Sequence, residues 1–372
     1  MAVMEYIVKL LTTFGIIAGA VDLLFLKGKW KLGEKFQQGF EMIGSMMLSM
    51  TGILMFAPAA ASLLEHTGVS FLRSIRMDPS VLSIFFSCNM GGYALAQSLA
   101  DDPATGLMLG MVTAGMFGGA LNFTIPLGFG IIDKSAIPGF SKGVLFGLGF
   151  IPAGNLVSGL ILGLSLRTII WNSLPVLILS VFIIIGMIRS AEKMVHLMDL
   201  LASAMRILGI VGIVLGALDY LLGVTIIPDM DSLMDSMLLV CQMTVTMIGM
   251  LPVMELVSRL LKKPLEAAGR RAGLDAVSIS GMIFSLVSCA PVFPMMKEMN
   301  LKGQIVNGAW AILVAAVFGS QLGLAMSSCP EVLPALLSGK LAAGIAGTAA
   351  ILVFCRAEDS APDGSRIPAS GQ

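Results

Sequence analysis

Residues 79–100 read PSVLSIFFSCNMGGYALAQSLA, a charge-free stretch interrupted at its centre by Asn89-Met90-Gly91-Gly92. Its length suits a bilayer span, but paired glycines weaken a helix and let the backbone turn. Asp78 precedes the stretch and Asp101-Asp102 follow it, so both flanks carry acid. A segment broken in the middle and acidic at both ends predicts a chain that enters the membrane and returns to the side it came from. Residues 276–296 repeat the design with basic flanks: Pro291 and Pro294 break the run, Arg271 lies before it, and Lys297 and Lys302 lie after it. Proline removes a backbone donor and frees upstream carbonyls.

The chain around these two segments is built for lipid. Only 12% of its 372 residues are charged, 56% are hydrophobic and the mean hydropathy is +0.92. A soluble domain carries about 25% charge. No charge interrupts residues 42–64, 103–132, 143–166, 168–188, 236–254 or 303–330, and each run suits a bilayer span. Weaker apolar runs lie around 10–21, 207–218 and 340–354, the last with Lys340 at its edge. The first run lacks a signal-peptide pattern, since Glu5 precedes it and Ala18-Gly19-Ala20 leads straight into Asp22.

Basic residues cluster in the loop 27–35, in the loop predicted after Ile188 (Arg189, Lys193, Arg206) and in the stretch 259–271, which the positive-inside rule places in the cytoplasm. Seven apolar segments separate the first cluster from the last, and seven crossings would put them on opposite sides. Making 79–100 re-entrant removes this conflict. The predicted fold is therefore an all-α integral membrane protein with about nine transmembrane helices plus two re-entrant or broken segments. Ser87-Cys88 and Phe117-Gly118 recur 201 positions later as Ser288-Cys289 and Phe318-Gly319, and Leu121 recurs as Leu322. With the order of spans, this predicts an inverted repeat: half-repeats at about 1–165 and 203–355, a linking helix at 168–188, and a disordered polar tail at 357–372. Such repeats hold substrate where broken helices meet near the midplane.

Polar groups inside hydrocarbon are costly and mark sites by default. Asn89 leads, beside two glycines at the break; Ser87, Gln97, Asn122, Ser288, Asn307, Ser320 and Gln321 join it. Asp22 and Glu41 lie at span ends, suited to the interface. The 28 methionines are spread through every span and are read as adaptable filler. The five cysteines and two histidines show no metal-ligand spacing, and the apolar placing of the cysteines argues against disulfides. There is no phosphate-binding loop and no catalytic set, so the chain reads as neither an ATP-driven pump nor an enzyme, and no cofactor is expected. With net charge zero and no basic stripe, nucleic acid is not a partner. The expected partners are the bilayer and a small polar solute, with homo-oligomerisation left open.

The motifs that carry a family likeness are Phe36-Gln37-Gln38-Gly39, Asp78-Pro79-Ser80, Ser87-Cys88-Asn89-Met90-Gly91-Gly92-Tyr93, Pro291, Met295-Met296-Lys297-Glu298-Met299, Val306-Asn307, Phe318-Gly319 and Leu322-Gly323. Together they resemble the EutH family of ethanolamine-utilisation membrane proteins over residues 22–340. The resemblance implies an ethanolamine permease of the bacterial inner membrane serving ethanolamine catabolism. Its substrate-binding set would be Ser87, Cys88, Asn89, Gly91, Gly92, Tyr93, Gln97, Asn122, Ser288, Pro291, Asn307, Ser320 and Gln321. Compared with the family, the chain is neutral at Gln37-Gln38, Asn89, Gln97 and Ser320-Gln321, where ionisable residues are common. Ethanolamine is mostly cationic near neutral pH, as lysine is. Without a carboxylate it must rely on carbonyls, amides or an aromatic face such as Tyr93. The alternatives are another small amine, alcohol or neutral solute, and a non-transporting membrane scaffold or sensor.

Overall fold

The computed structural model describes residues 2–87 and 92–360. All regular structure in these residues is helical, and seven helices are long and apolar enough to cross a bilayer. The first two, α1 (Ala2–Leu24) and α2 (Leu32–Leu64), are antiparallel neighbours, with Gly19 against Phe36 and Gly33 against Leu23. Asp22 closes the turn between them. Its fully buried carboxylate accepts the backbone N–H groups of Trp30, Leu32 and Gly33 at 2.8 to 2.9 Å. It therefore satisfies the orphan donors that open α2, a capping role rather than an interfacial one.

A π-turn (Glu65–Val69) and the short α3 (Ser70–Ser74) lead from α2 into the first broken segment. That segment is a 3₁₀ stretch, Pro79–Ile84, followed by α4 (Tyr93–Leu99). Its two ends meet: Asp78 caps the 3₁₀ stretch through the Ser80 N–H and also accepts the Asp102 N–H at 3.0 Å. Asp102 in turn caps α5 (Pro103–Leu107) through the Thr105 N–H. Beyond α5 the helix widens into π-helical stretches, Met108–Gly118 and Ala120–Thr124, before α6 (Ile125–Ile131) and α7 (Ile137–Ile161).

Next, α8 (Leu166–Leu222) is two helical arms joined at a kink: the break that the sequence reading placed after residue 188 is there, as the single residue Ser190 rather than a loop. Helix continues through the charged stretch, and only Ser190 leaves helical geometry, at φ −160° and ψ 86°. Residues 189–206 stay helical because Met194 and Met198 bury one face while Arg189, Lys193 and Arg206 occupy the other. Two arms result, one on each side of Ser190. Likewise the basic stretch 259–271 is helical, lying within α9 (Leu233–Ala272), whose 40 residues end at Gly273 in the left-handed region, φ 78°.

The second broken segment is α10 (Ala276–Ser285) and a 3₁₀ stretch, Ala290–Glu298. Its ends meet in the same way as those of the first. Asp275 caps α10 through the Ser278 N–H and also accepts the Asn300 N–H, while Asn300 caps α11 (Leu301–Leu313) through the Gly303 N–H. The apolar run 303–330, expected as one span, is then interrupted. Residues 314–319 unwind between α11 and α12 (Ser320–Ser328), with Ala316 at φ 62°. The chain closes with α13 (Leu333–Ser360), which takes in the first residues of the expected disordered tail; positions 361–372 lie outside the described residues.

Two glycine crossings tie the helices together. On α9 a Cβ at Gly249 would stand 2.1 Å from the Thr12 carbonyl oxygen, and one at Gly15 of α1 would stand 1.9 Å from the Gly249 oxygen. On α2 a Cβ at Gly52 would stand 1.8 Å from the Gly209 oxygen, and one at Gly212 of α8 would stand 2.5 Å from the Gly52 oxygen. Adding 197 to Thr12, Gly15 and Gly52 gives Gly209, Gly212 and Gly249, and the same step takes Asp78 to Asp275. The second arm of α8 runs parallel to α2, with Gly216 against Met55 beyond the Gly52 crossing, whereas α9 runs antiparallel to α2, pairing Gly39 with Ile248 and Met55 with Asp231. On the other side of the molecule α7 packs on α11 and α13.

Candidate functional site

A cavity of about 670 Å³ lies among α2, the second π-helical stretch with α6, the second arm of α8, α9, the turn of the second hairpin and the unwound segment before α12. Its floor comes from the irregular backbone: Asn122 on the second π-helical stretch, Val287, Ser288 and Cys289 at the turn of the second hairpin, and Ala315, Ala316 and Ser320 where α11 unwinds into α12. Its walls are apolar and rich in methionine, with Met42, Met46 and Met50 from α2, Met205 from α8 and Met247 from α9. Ser45 and Ser49 add hydroxyls, while Asp199 and Arg206 on the second arm of α8 stand exposed at its edge. Asp199 is the only carboxylate lining the cavity among the described residues.

The unwinding that shapes this floor is imposed from outside the segment. The Ala316 N–H donates to the Ser285 carbonyl at 3.0 Å and the Phe318 N–H to the Leu286 carbonyl at 2.8 Å, so the second hairpin takes donors that a continuous helix would use itself. Gly319 lets the two backbones approach, since a Cβ there would stand 2.3 Å from the Val287 oxygen. The first hairpin is held in a related way. Asn122 Nδ2 donates to the Ser87 carbonyl at 2.6 Å, and a Cβ on Gly118 would collide with Ser87 Oγ at 1.4 Å. The matched pair Gly118 and Gly319, found from sequence, thus marks the two places where a hairpin meets the irregular helix that follows it.

Three of the residues expected at the site, Asn122, Ser288 and Ser320, come together on this cavity. Ser87 sits behind the floor, fully buried, its hydroxyl donating to the Ile84 carbonyl at 3.0 Å. Gln321 turns away, donating to the Gly115 carbonyl at 3.1 Å. Gly92 and Tyr93 line a separate apolar cavity of about 310 Å³ alongside Leu63 and Leu64, and the Tyr93 hydroxyl donates to the Ser328 carbonyl at 3.4 Å. Gln97 and Pro291 are exposed away from both cavities. Buried Asn307 holds α11 to the second hairpin, donating to the Ser278 and Gly303 carbonyls at 3.0 Å each. Cys88, Asn89 and Gly91 lie outside the described residues.

Two polar groups that sequence reasoning left aside emerge here. Asp199 lay in what was read as a loop. Lys340, taken as the edge of an apolar run, is fully buried in α13, and its ammonium donates to Gln321 Oε1 at 2.6 Å and to the Ala315 carbonyl at 3.1 Å. The signal available for Lys340 was its place between Pro330 and Phe354, an apolar stretch long enough to span if the lysine is counted inside it.

The cavity can host a small solute through a few convergent polar groups on an otherwise apolar wall, the usual make-up of a small-molecule site. Asn122 offers an amide oxygen, Ser288 and Ser320 offer hydroxyls, and the unwound residues offer peptide carbonyls beside them. No solved structure matches the chain. A Bacillus subtilis protein named "Uncharacterized protein YxeR" is 34% identical over the full length of both chains. A Listeria monocytogenes protein named "Probable ethanolamine permease EutH" is 32% identical over 94% of this chain and 93% of its own. A Salmonella typhimurium protein of the same name is 28% identical over 88% of this chain and 87% of its own. The family profile described as "Ethanolamine utilisation protein, EutH" matches residues 3–354. This chain is a multi-pass, all-helical membrane protein and belongs to the EutH family of ethanolamine-utilisation proteins.

Proposed function

We propose that this protein is a permease that carries ethanolamine, as its ammonium form, across the bacterial inner membrane to feed ethanolamine catabolism. The observation that carries this reading is the convergence of Asn122 from the first half with Ser288, Ala315, Ala316 and Ser320 from the second on one cavity. A two-headed solute needs acceptors for its ammonium and a partner for its hydroxyl, and this floor has both. The names of the Listeria and Salmonella relatives support the same substrate. Asp199 at the edge offers an entering cation a carboxylate, beside Arg206 of opposite charge.

The purified protein in liposomes should take up labelled ethanolamine with saturation kinetics at a pH near 6, where almost all of the solute is charged and crosses lipid slowly. Asp199→Asn should raise the apparent KM several-fold, and more strongly at low ionic strength, because the group acts as an exposed charge. Uptake no faster than in empty liposomes would overturn the substrate.

In this reading the chain makes nine crossings and its halves, about 1–165 and 203–355, are inverted copies joined by the first arm of α8. Support comes from the crossings 197 positions apart: α1 is antiparallel to α2, α2 is parallel to the second arm of α8, so the matched elements α1 and that arm run opposite ways. The hairpin ends, clamped by Asp78 and Asp275, support re-entry on opposite faces. In a background free of native cysteines, Ser74→Cys and Asp101→Cys should label from one face, and Arg271→Cys and Glu298→Cys from the other. Labelling of Ser74→Cys and Asp101→Cys from different faces would remove the re-entrant segment.

A further inference from the structure

Lys340 is a fully buried lysine in a membrane helix. Its Nζ meets two neutral oxygens, Gln321 Oε1 at 2.6 Å and the Ala315 carbonyl at 3.1 Å, and Gln321 is itself anchored on the Gly115 carbonyl. No carboxylate faces it among the described residues. The packed elements α7, α11 and α12 and the first π-helical stretch carry no acidic residue, and the acids on its other neighbours, Glu331 in the turn that opens α13 and Glu5 and Asp22 on α1, make no bond to it. An ammonium in hydrocarbon without a counter-charge is expensive, and intramembrane ionisable residues of this kind mark ion or proton paths. A merely structural tie from α13 to the unwound segment has no need of a charge.

Position gives the charge a task. Ala315, Cys289 and Ser320 line the proposed substrate cavity, so a single peptide group separates the Lys340 ammonium from it. A substrate ammonium seated against the unwound segment would share the Ala315 carbonyl with Lys340 and repel it. Lysine, unlike arginine, can remove that repulsion by releasing its proton. We propose that Lys340 is the proton-coupling residue of this transporter, exchanging one proton for each cationic amine that enters the cavity.

In the outward step, R–NH₃⁺ enters, Lys340 passes from –NH₃⁺ to –NH₂, and the proton leaves to water through the cavity. In the inward step, R–NH₃⁺ departs and Lys340 takes a proton from the other side. The cycle moves one cation in and one proton out, with no net charge transferred. This inference rests on a cationic amine being the substrate, and the test keeps the two apart.

Purified protein in weakly buffered detergent, titrated with ethanolamine hydrochloride at matched pH, should release about one proton per molecule bound, by the linkage between binding and protonation. Lys340→Met and Lys340→Arg should release none. In liposomes with an acidic lumen, wild-type uptake, counted above the free-base accumulation of empty liposomes under the same gradient, should accelerate several-fold over liposomes without a gradient. Lys340→Arg, which keeps its charge and its donors, should show no gradient response even if Lys340→Met fails to fold. Ethanolamine binding by the wild type without proton release overturns the coupling role, as does a Lys340→Arg protein that still answers the gradient. Absence of ethanolamine binding by the wild type overturns the substrate reading itself.

Discussion

Gly52→Leu and Gly249→Leu are each expected to abolish folded protein in detergent, while Gly44→Ala on the same helix as Gly52 leaves stability unchanged or slightly raised. At Gly52 even a β-carbon would stand 1.8 Å from the Gly209 carbonyl oxygen, and at Gly249 it would stand 2.1 Å from that of Thr12. Neither obstacle is a flexible side chain. Both are helix backbone, so the paired helices must separate along their length. Overpacking a tight core costs about 1–3 kcal/mol when side chains can adjust, and more when they cannot. Against a total stability of about 5–15 kcal/mol this is a large fraction. At Gly44 nothing lies within 4 Å, and replacing a helical glycine by alanine gains about 0.5–1 kcal/mol. Size-exclusion profile and melting temperature distinguish the three. A monodisperse Gly249→Leu protein melting near the wild type would show that α1 and α9 do not cross at this distance.

Asn122→Ala is expected to raise the apparent KM for ethanolamine about ten- to a hundred-fold, the effect of losing one hydrogen bond to a charged partner of about 1.5–3 kcal/mol. Expression should remain near normal. Asn122 has a second duty, since its Nδ2 holds the Ser87 carbonyl of the first hairpin at 2.6 Å. Asn122→Asp separates the two: it keeps and strengthens an acceptor for the ammonium but cannot donate to Ser87. Tighter binding with Asp and weaker binding with Ala assign the residue to substrate contact. Equal loss in both assigns it to holding the hairpin, and moves the cation's acceptors to Ser288, Ser320 and the unwound carbonyls.

Much of the architecture was legible because its causes are local. Gly92 at the first broken segment and Pro291 and Pro294 at the second are breaks written in residue type, whereas the capping roles of Asp78 and Asp275 were not read from the sequence. The unwinding of residues 314–319 was not legible. Val-Ala-Ala-Val-Phe-Gly has no strong breaker until its last residue, and the helix opens because Ser285 and Leu286, some thirty residues earlier in the chain, accept its N–H groups. The same limit hid the role of Lys340, whose partners come from an unwound strand and a neighbouring helix. Gln97 shows the opposite error: polarity inside an apolar stretch marked it as a site residue, but α4 is short enough to leave it exposed. The helix that resumes after Ser190 was missed because charge was taken to mean loop, when one buried methionine face suffices to keep a helix going.

The twin glycine crossings bear on which parts of the molecule can move as units. Each crossing joins a helix of one half to a helix of the other: α1 with α9, and α2 with the second arm of α8. Elsewhere in the molecule α7 of the first half is likewise packed on α11 and α13 of the second. The tightest packing therefore does not follow the two sequence halves: each packed group is drawn from both. A hinge placed at Ser190, swinging one half away from the other, would have to tear both crossings apart.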